Sequence, residues 1–302
     1  MISTDVPRAA RILRQGGIVS IPTETVYGLA AEVHHRGAVE RIYAVKHRPL
    51  THPLIIHLSR HDDPSRWGQL DAAAATLADR FWPGPLTLLV RRTDHVPDWV
   101  TGGRDTVALR IPDHPLTLEL LEMLDDALVA PSANTFGSVS PTRAEHVERD
   151  LGSEIDLVLD GGPCPIGVES TIIECIGHDL RILRFGAVTE ELIAEATGTR
   201  PDPPAGPSRA PGMMASHYAP RARVVVCESP DEGAGLVDSV HAEGGSAALV
   251  WDPDSARYAA TLYERLRAAD DDGIAVIVAV LPPPVGIGAA VRDRLMKAAA
   301  AG

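Results

Sequence analysis

Apolar and polar positions alternate along this chain with two periods, and the spacing predicts a succession of short strands and helices. Residues 7–15 carry apolar positions at helical spacing, with Asp5 placed to cap, Pro7 in the first turn and Gly16-Gly17 as the stop. Residues 18–21 read as a buried strand, 37–45 as a helix with Val39, Ile42 and Tyr43 on one face, and 54–58 as a strand. A helix over 72–81, strands over 86–90 and 107–111, a helix over 116–123 and a strand over 127–130 follow. Strands at 156–160, 171–174 and 181–183 and a helix at 190–196 complete the pattern of an α/β unit. Pro201-Asp202-Pro203-Pro204-Ala205-Gly206-Pro207 then breaks regular structure, because its prolines lack the amide donor and fix φ. Past it, apolar runs at 223–227, 246–251 and 275–280 are each followed by a helical segment, the order of a small doubly wound parallel domain. The expected division is residues 1–200, a linker over 201–221 and a second domain over 222–302.

The second domain lacks the glycine fingerprint of a dinucleotide-binding turn, and Gly286 with Gly288 is too little to replace it. Its sequence reads as a docking or regulatory module without chemistry of its own.

Composition narrows the classes. The 302 residues are 45% apolar and 23% charged, ordinary for a folded globular protein. A formal net charge of −13 argues against a protein whose main task is gripping nucleic acid, since that binding neutralises phosphates with Lys and Arg. The N-terminal stretch lacks the charged and then apolar regions of a signal peptide, and the apolar run 274–281 is too short to span a bilayer, so the expectation is a cytoplasmic protein without a membrane partner. Cys164, Cys175 and Cys227 are odd in number and widely spaced, fitting reduced thiols. Six of the twelve histidines fall between His34 and His61, but His57 and His61 do not share a helical face and no cysteine or acidic ligand has suitable spacing, so a structural metal is not expected.

Candidate chemistry starts at Lys46-His47-Arg48. The chain has only two lysines, Lys46 and Lys297. A compact ammonium beside a guanidinium fork makes a phosphate clamp. The same pair also reads as solvated charges at a helix C-terminus, where cations are favoured.

The surrounding motifs decide between these. Pro22-Thr23-Glu24-Thr25-Val26-Tyr27-Gly28-Leu29, Lys46-His47-Arg48-Pro49, Trp82-Pro83-Gly84-Pro85-Leu86-Thr87, Ala108-Leu109-Arg110-Ile111-Pro112, Ala130-Pro131-Ser132-Ala133-Asn134, Glu169-Ser170-Thr171-Ile172 and His217-Tyr218-Ala219-Pro220 stand in one order. In that order the chain resembles the YrdC-like family in its two-domain form, the L-threonylcarbamoyladenylate synthases. The resemblance implies an N-terminal twisted sheet with helices and a concave active-site cleft, joined to a small Rossmann-like α/β domain. It also implies a nucleotidyltransferase that joins L-threonine, bicarbonate or CO2 and ATP into threonylcarbamoyl-AMP and pyrophosphate, the first step of threonylcarbamoyladenosine formation in tRNA. Mg²⁺ would accompany the ATP, held mostly by phosphate and water. A separate tRNA threonylcarbamoyl transferase would receive the product, so stable nucleic-acid binding is not required.

Residue by residue, the resemblance assigns the catalytic work to Lys46 and Arg48 and the ATP and bicarbonate region to Lys46, Arg48, Ser132 and Asn134. Ser140 and Arg184 are further ATP contacts, although Ser140-Pro141 also reads as a turn and Arg184 as a surface charge. His217 and Tyr218 approach the nucleotide from a linker that folds over the site. Thr23, His57, Arg110 and Ser170 map to L-threonine, with Arg110 suited to its carboxylate through a bidentate fork. On its own, a strand histidine such as His57 is as readily a packing residue. Arg184-Phe185-Gly186 departs from the family's Arg-Pro-Gly, which predicts a less rigid backbone there. An RNA-binding module using a basic cleft around Lys46 and Arg48, and a related carbamoyl-adenylate enzyme with another substrate, are the alternative readings.

Overall fold

The computed structural model describes residues 1–124, 126–177, 179–205, 210–211 and 218–301. In chain order the elements are β1 (Ile2–Ser3), α1 (Val6–Arg14), β2 (Val19–Ile21), β3 (Gly28–Glu32), α2 (Arg36–Val45), β4 (Ile55–His57), β5 (Gly68–Gln69), α3 (Ala72–Phe81), β6 (Leu86–Arg92), α4 (Asp98–Thr101), β7 (Thr106–Arg110), α5 (Pro115–Leu124) and β8 (Leu128–Val129). Then come α6 (Ala144–Leu151), β9 (Leu157–Leu159), β10 (Thr171–Cys175), β11 (Leu180–Arg184), α7 (Glu190–Thr197), β12 (Arg223–Cys227), α8 (Pro230–Ala242), β13 (Ala247–Val250), α9 (Ser255–Asp271), β14 (Val276–Val280) and α10 (Gly288–Ala299). The Asp5 carboxylate accepts from the Arg8 amide and caps α1, as its sequence predicts.

The first eleven strands form one mixed sheet, ordered β1-β9-β2-β3-β8-β4-β7-β6-β10-β11, with β5 beside β6. Its centre places the site. β4 and β7 run parallel with His57 opposite Arg110, so these two side chains leave the same face of the sheet. β6 pairs in parallel with β10, whose first residue follows Ser170, and β11 ends at Arg184 opposite Ile172.

The last three strands form a separate parallel sheet in the order β12-β14-β13. Alternation assigns its faces: Val276, Val278 and Val280 pack with Leu236, Val237 and Val240 of α8, while Ile277 and Ala279 pack with Tyr258, Leu262, Val291 and Leu295 of α9 and α10. Helices on both faces make it doubly wound, as its sequence predicts. The α9 and α10 face is also the seam between the sheets, since Val26, Val139 and Val168 join the same apolar cluster. Arg267 to Asp150 at 2.6 Å and Arg294 to Glu169 at 2.8 Å cross that seam.

Among the described residues no helix is long and apolar enough to cross a membrane. All three cysteines are free and buried, and burial pushes the Cys164 thiol up to about 12, which leaves it a packing residue.

Candidate active site

A cavity opens where β3, β4, β7 and the loops before β10 and after β8 converge. Its ionisable lining is Arg48, His57, Arg110, Glu169 and Arg184, and its hydroxyl lining is Thr23, Thr25, Ser132, Ser170 and Tyr218.

Arg110 is 4% exposed. One guanidinium nitrogen pairs with Glu24 Oε1 at 2.7 Å and donates to Thr25 Oγ1 at 3.0 Å, and Nε donates to the Gly84 carbonyl. Thr23 folds its hydroxyl into a local turn, donating to the Val26 carbonyl at 2.6 Å and accepting from the Val26 amide. Burial, with Arg110 alongside, drives the His57 imidazole down to about 3, so the ring is neutral at ordinary pH. His57 lines the cavity.

Arg184 donates from Nε to the Ser170 carbonyl and from Nη2 to Ser170 Oγ, both at 3.0 Å, while Thr87 Oγ1 lies 2.7 Å from the same hydroxyl. At 5% exposure it is no surface charge. Nor is the Phe185 turn loose: its carbonyl accepts from Arg294 Nη2 at 2.9 Å, and a Cβ on Gly186 would meet the Thr171 amide nitrogen and lie 2.7 Å from the Glu169 carbonyl.

Lys46 and Arg48 owe their inward direction to the end of α2. The His47 amide bonds the Ala44 carbonyl, the Arg48 amide bonds the Tyr43 carbonyl, and His47 sits left-handed at φ 53. That is a Schellman stop with histidine where glycine is usual, and it turns both flanking cations into the protein. The reading of solvated helix-end charges is therefore wrong: Lys46 is 1% and Arg48 8% exposed. Arg48 lines the cavity and donates to the Pro53 carbonyl. Burial brings its guanidinium down to about 10.

Three expected ligand contacts stand one layer back. The Lys46 ammonium donates to the Ser132 carbonyl at 2.6 Å and to the Asn134 carbonyl, so it holds the loop from behind and does not line the cavity. Burial, with Arg48 adding repulsion, lowers it well below the usual lysine range. The Asn134 amide donates to the Thr135 and Ser138 carbonyls, and its buried Oδ1 has no partner among the described residues. Ser140 is no simple turn former, since its hydroxyl donates to Glu169 Oε1 at 2.5 Å. Tyr218 lines the cavity at φ 63, a strained conformation for an aromatic residue. His217 lies outside the described residues.

Sequence reasoning quoted Glu24, Thr25 and Glu169 within motifs but gave them no role. It missed Tyr263 and Arg294 altogether. Glu169 accepts from Ser140, from Tyr263 at 2.9 Å and from Arg294 at 2.8 Å. Burial alone would raise this carboxyl, but Arg294, Arg184 and the Ser140 hydroxyl hold it at about 2.

Comparison with known proteins decides the family. A family model described as "Telomere recombination" matches residues 11–186, and one described as "Threonylcarbamoyl-AMP synthase, C-terminal domain" matches 187–300. Threonylcarbamoyl-AMP synthase of Bacillus subtilis is 39% identical over 99% of this chain and 94% of its own. That of Pyrococcus abyssi is 38% identical over 96% and 92%. The chain belongs to the threonylcarbamoyl-AMP synthase family.

The crystal structure of P. abyssi Sua5 complexed with L-threonine superposes with a TM-score of 0.93 at 36% identity, covering 98% of this chain and 94% of that one. The family's two-part architecture is thus present throughout. Among the described residues no group of three His, Cys, Asp or Glu could hold a metal ion. Glu169, which lines the cavity, and Glu24, behind Arg110, are each already paired with an arginine. These residues do not fit a protein-held Mg²⁺.

Proposed function

We propose that this chain is an L-threonylcarbamoyladenylate synthase of the nucleotidyltransferase type, joining L-threonine, bicarbonate or CO2 and ATP into threonylcarbamoyl-AMP and pyrophosphate. The observation that carries the reading is three buried arginines, Arg48, Arg110 and Arg184, around one cavity against the single carboxylate Glu169, in a chain of net charge −13. Such a concentration of cations suits a triphosphate and a carboxylate together.

Arg110, with Thr23, His57 and Ser170 beside it, takes the threonine side, its guanidinium meeting the amino acid's carboxylate. Arg48 and Arg184 take the phosphates, and the Ser132 to Asn134 loop, held by Lys46, borders them. The threonine amine adds to CO2 and loses a proton to solvent. The resulting carbamate oxygen attacks the α-phosphorus, the new P–O bond forms as the bond to pyrophosphate breaks, and the pyrophosphate departs. The protein supplies position and charge rather than a covalent intermediate. Mg²⁺ would enter as part of the ATP substrate, held by phosphate and water rather than by protein carboxylates. A tRNA threonylcarbamoyl transferase then consumes the adenylate.

Burial disfavours the RNA-binding reading, because none of the three arginines can reach a phosphate backbone lying on the surface. Pyrophosphate release from ATP with Mg²⁺ and bicarbonate, measured with and without L-threonine, tests the proposal. Release should depend on threonine; release with another amine alone would keep the chemistry and overturn the substrate, and no release with any amine would overturn the proposal.

A further inference from the structure

The second domain contacts two cavity-lining residues, Glu169 and Tyr218, through two side chains. Arg294 of α10 has a side chain with 0% exposure, and Tyr263 of α9 is equally buried. Arg294 Nε donates to Glu169 Oε2 at 2.8 Å, its Nη2 donates to the Phe185 carbonyl, and its guanidinium lies 4.9 Å from the centre of the Tyr218 ring. Tyr263 donates to Glu169 and stacks on the other ring, its centroid 5.9 Å from that of Tyr218. Neither residue lines the cavity, but Glu169 and Tyr218 both do.

Glu169 thus stands between two arginines. Arg294 is behind it in direct contact, and Arg184 is at the cavity wall, close enough for each to feel the other's charge. Arg184 makes its own bonds to Ser170 and to the Pro211 carbonyl. A buried carboxylate deprived of one cation recruits another, because leaving it unpaired is costly.

We propose that Arg294, assisted by Tyr263, is a positioning residue for the cavity: by neutralising Glu169 from the second domain, it keeps Arg184 turned toward the ligand. The second domain is therefore part of the site and not a docking module alone. The assignment of ATP to Arg184 rests on the function proposed above, whereas the arginine exchange at Glu169 does not.

In Arg294→Met, Glu169 draws Arg184 away from the cavity. ATP affinity by calorimetry should fall about tenfold, the effect of losing one charge-assisted contact, and the KM for ATP should rise more than kcat falls. Adding Glu169→Gln removes the attraction, and affinity should return to within about threefold of wild type. Tyr263→Phe keeps the charge and should weaken ATP only about twofold to threefold. The Arg184 Nε–H resonance reports the exchange without any ligand: it should move in Arg294→Met and return in the double variant.

An unmoved resonance, or a double variant as weak as the single one, overturns the proposal. Should Arg294→Met fail to fold, Tyr263→Phe decides, and unchanged ATP affinity there overturns it. Wild type that binds ATP but releases no pyrophosphate with threonine would sink the functional reading while leaving the resonance test intact.

Discussion

Two buried carboxylate–arginine pairs flank the cavity, and they are built in opposite senses. On one side Arg110 faces the cavity with Glu24 behind it, 2.7 Å away, both in the first domain. On the other, Glu169 faces the cavity with Arg294 behind it, 2.8 Å away, and the pair spans the two domains. The first presents a cation to the cavity, the form needed to receive a carboxylate. The second presents an anion already saturated with donors, which serves to hold neighbours in place. In the proposed reading one pair binds and the other positions, although side chains of the same types make both.

The sharpest way to break that comparison is Arg110→Met. It removes the cation facing the cavity and strands Glu24, so kcat/KM for L-threonine should fall about a thousandfold, roughly 4 kcal/mol. Pyrophosphate release at varied threonine reads the change, and a loss confined to ATP would reverse the assignment of sides.

Glu24→Gln leaves Arg110 buried without its counter-ion and should cost about 3 kcal/mol of stability in denaturant titration. Because a bound carboxylate would replace the missing charge, threonine should stabilise this variant more than wild type. Equal stabilisation would contradict the binding role of Arg110.

Acid separates the two sides by a smaller amount. His57 falls from 6.5 to about 3 on folding, so below pH 6.5 the unfolded chain takes up a proton that the native chain refuses. Its contribution makes the protein less stable as pH falls from 6.5 toward 3. Glu169, held at about 2 against 4.5, gives stability that is full above 4.5 and lost only as pH falls from there toward 2. Between pH 7.5 and 5 the loss should therefore be relieved in His57→Gln by about 2 kcal/mol and be nearly unaffected by Glu169→Gln. A pH profile of unfolding free energy that is the same in His57→Gln and wild type would refute the neutral, buried imidazole.

Much of the frame was legible because local pattern and tertiary burial agree. The helix over 72–81 needs only its Asp71 cap and apolar stripe, and it stands at Ala72–Phe81. The three apolar runs of the second domain read directly as parallel strands, and the central one, Val276–Val280, is buried on both faces. In contrast, β3 is Gly-Leu-Ala-Ala-Glu, which lacks any β-branched residue and becomes a strand only by pairing with β2 and β8. The helix α6 hides in Ala-Glu-His-Val-Glu-Arg-Asp-Leu, where polar residues outnumber its buried ones.

The site divided in the same way. Arg110 and Ser170 announce themselves at strand ends inside motifs. Arg294 looks like any arginine on an amphipathic helix, and its partner lies 125 residues earlier, a pairing that only the packing of two domains creates. Lys46 shows the converse: its rarity marked it, but the Schellman turn at His47 decided that it grips a loop from behind.

The central claim is that the cavity uses Arg110 to bring threonine's carboxylate into adenylate formation. Wild type and Arg110→Met, each mixed with ATP, Mg²⁺, bicarbonate and L-threonine, quenched within one turnover and analysed by mass spectrometry, test it most directly. The account predicts threonylcarbamoyl-AMP from wild type and almost none from the variant; equal yields from both, or no adenylate from wild type, would contradict it.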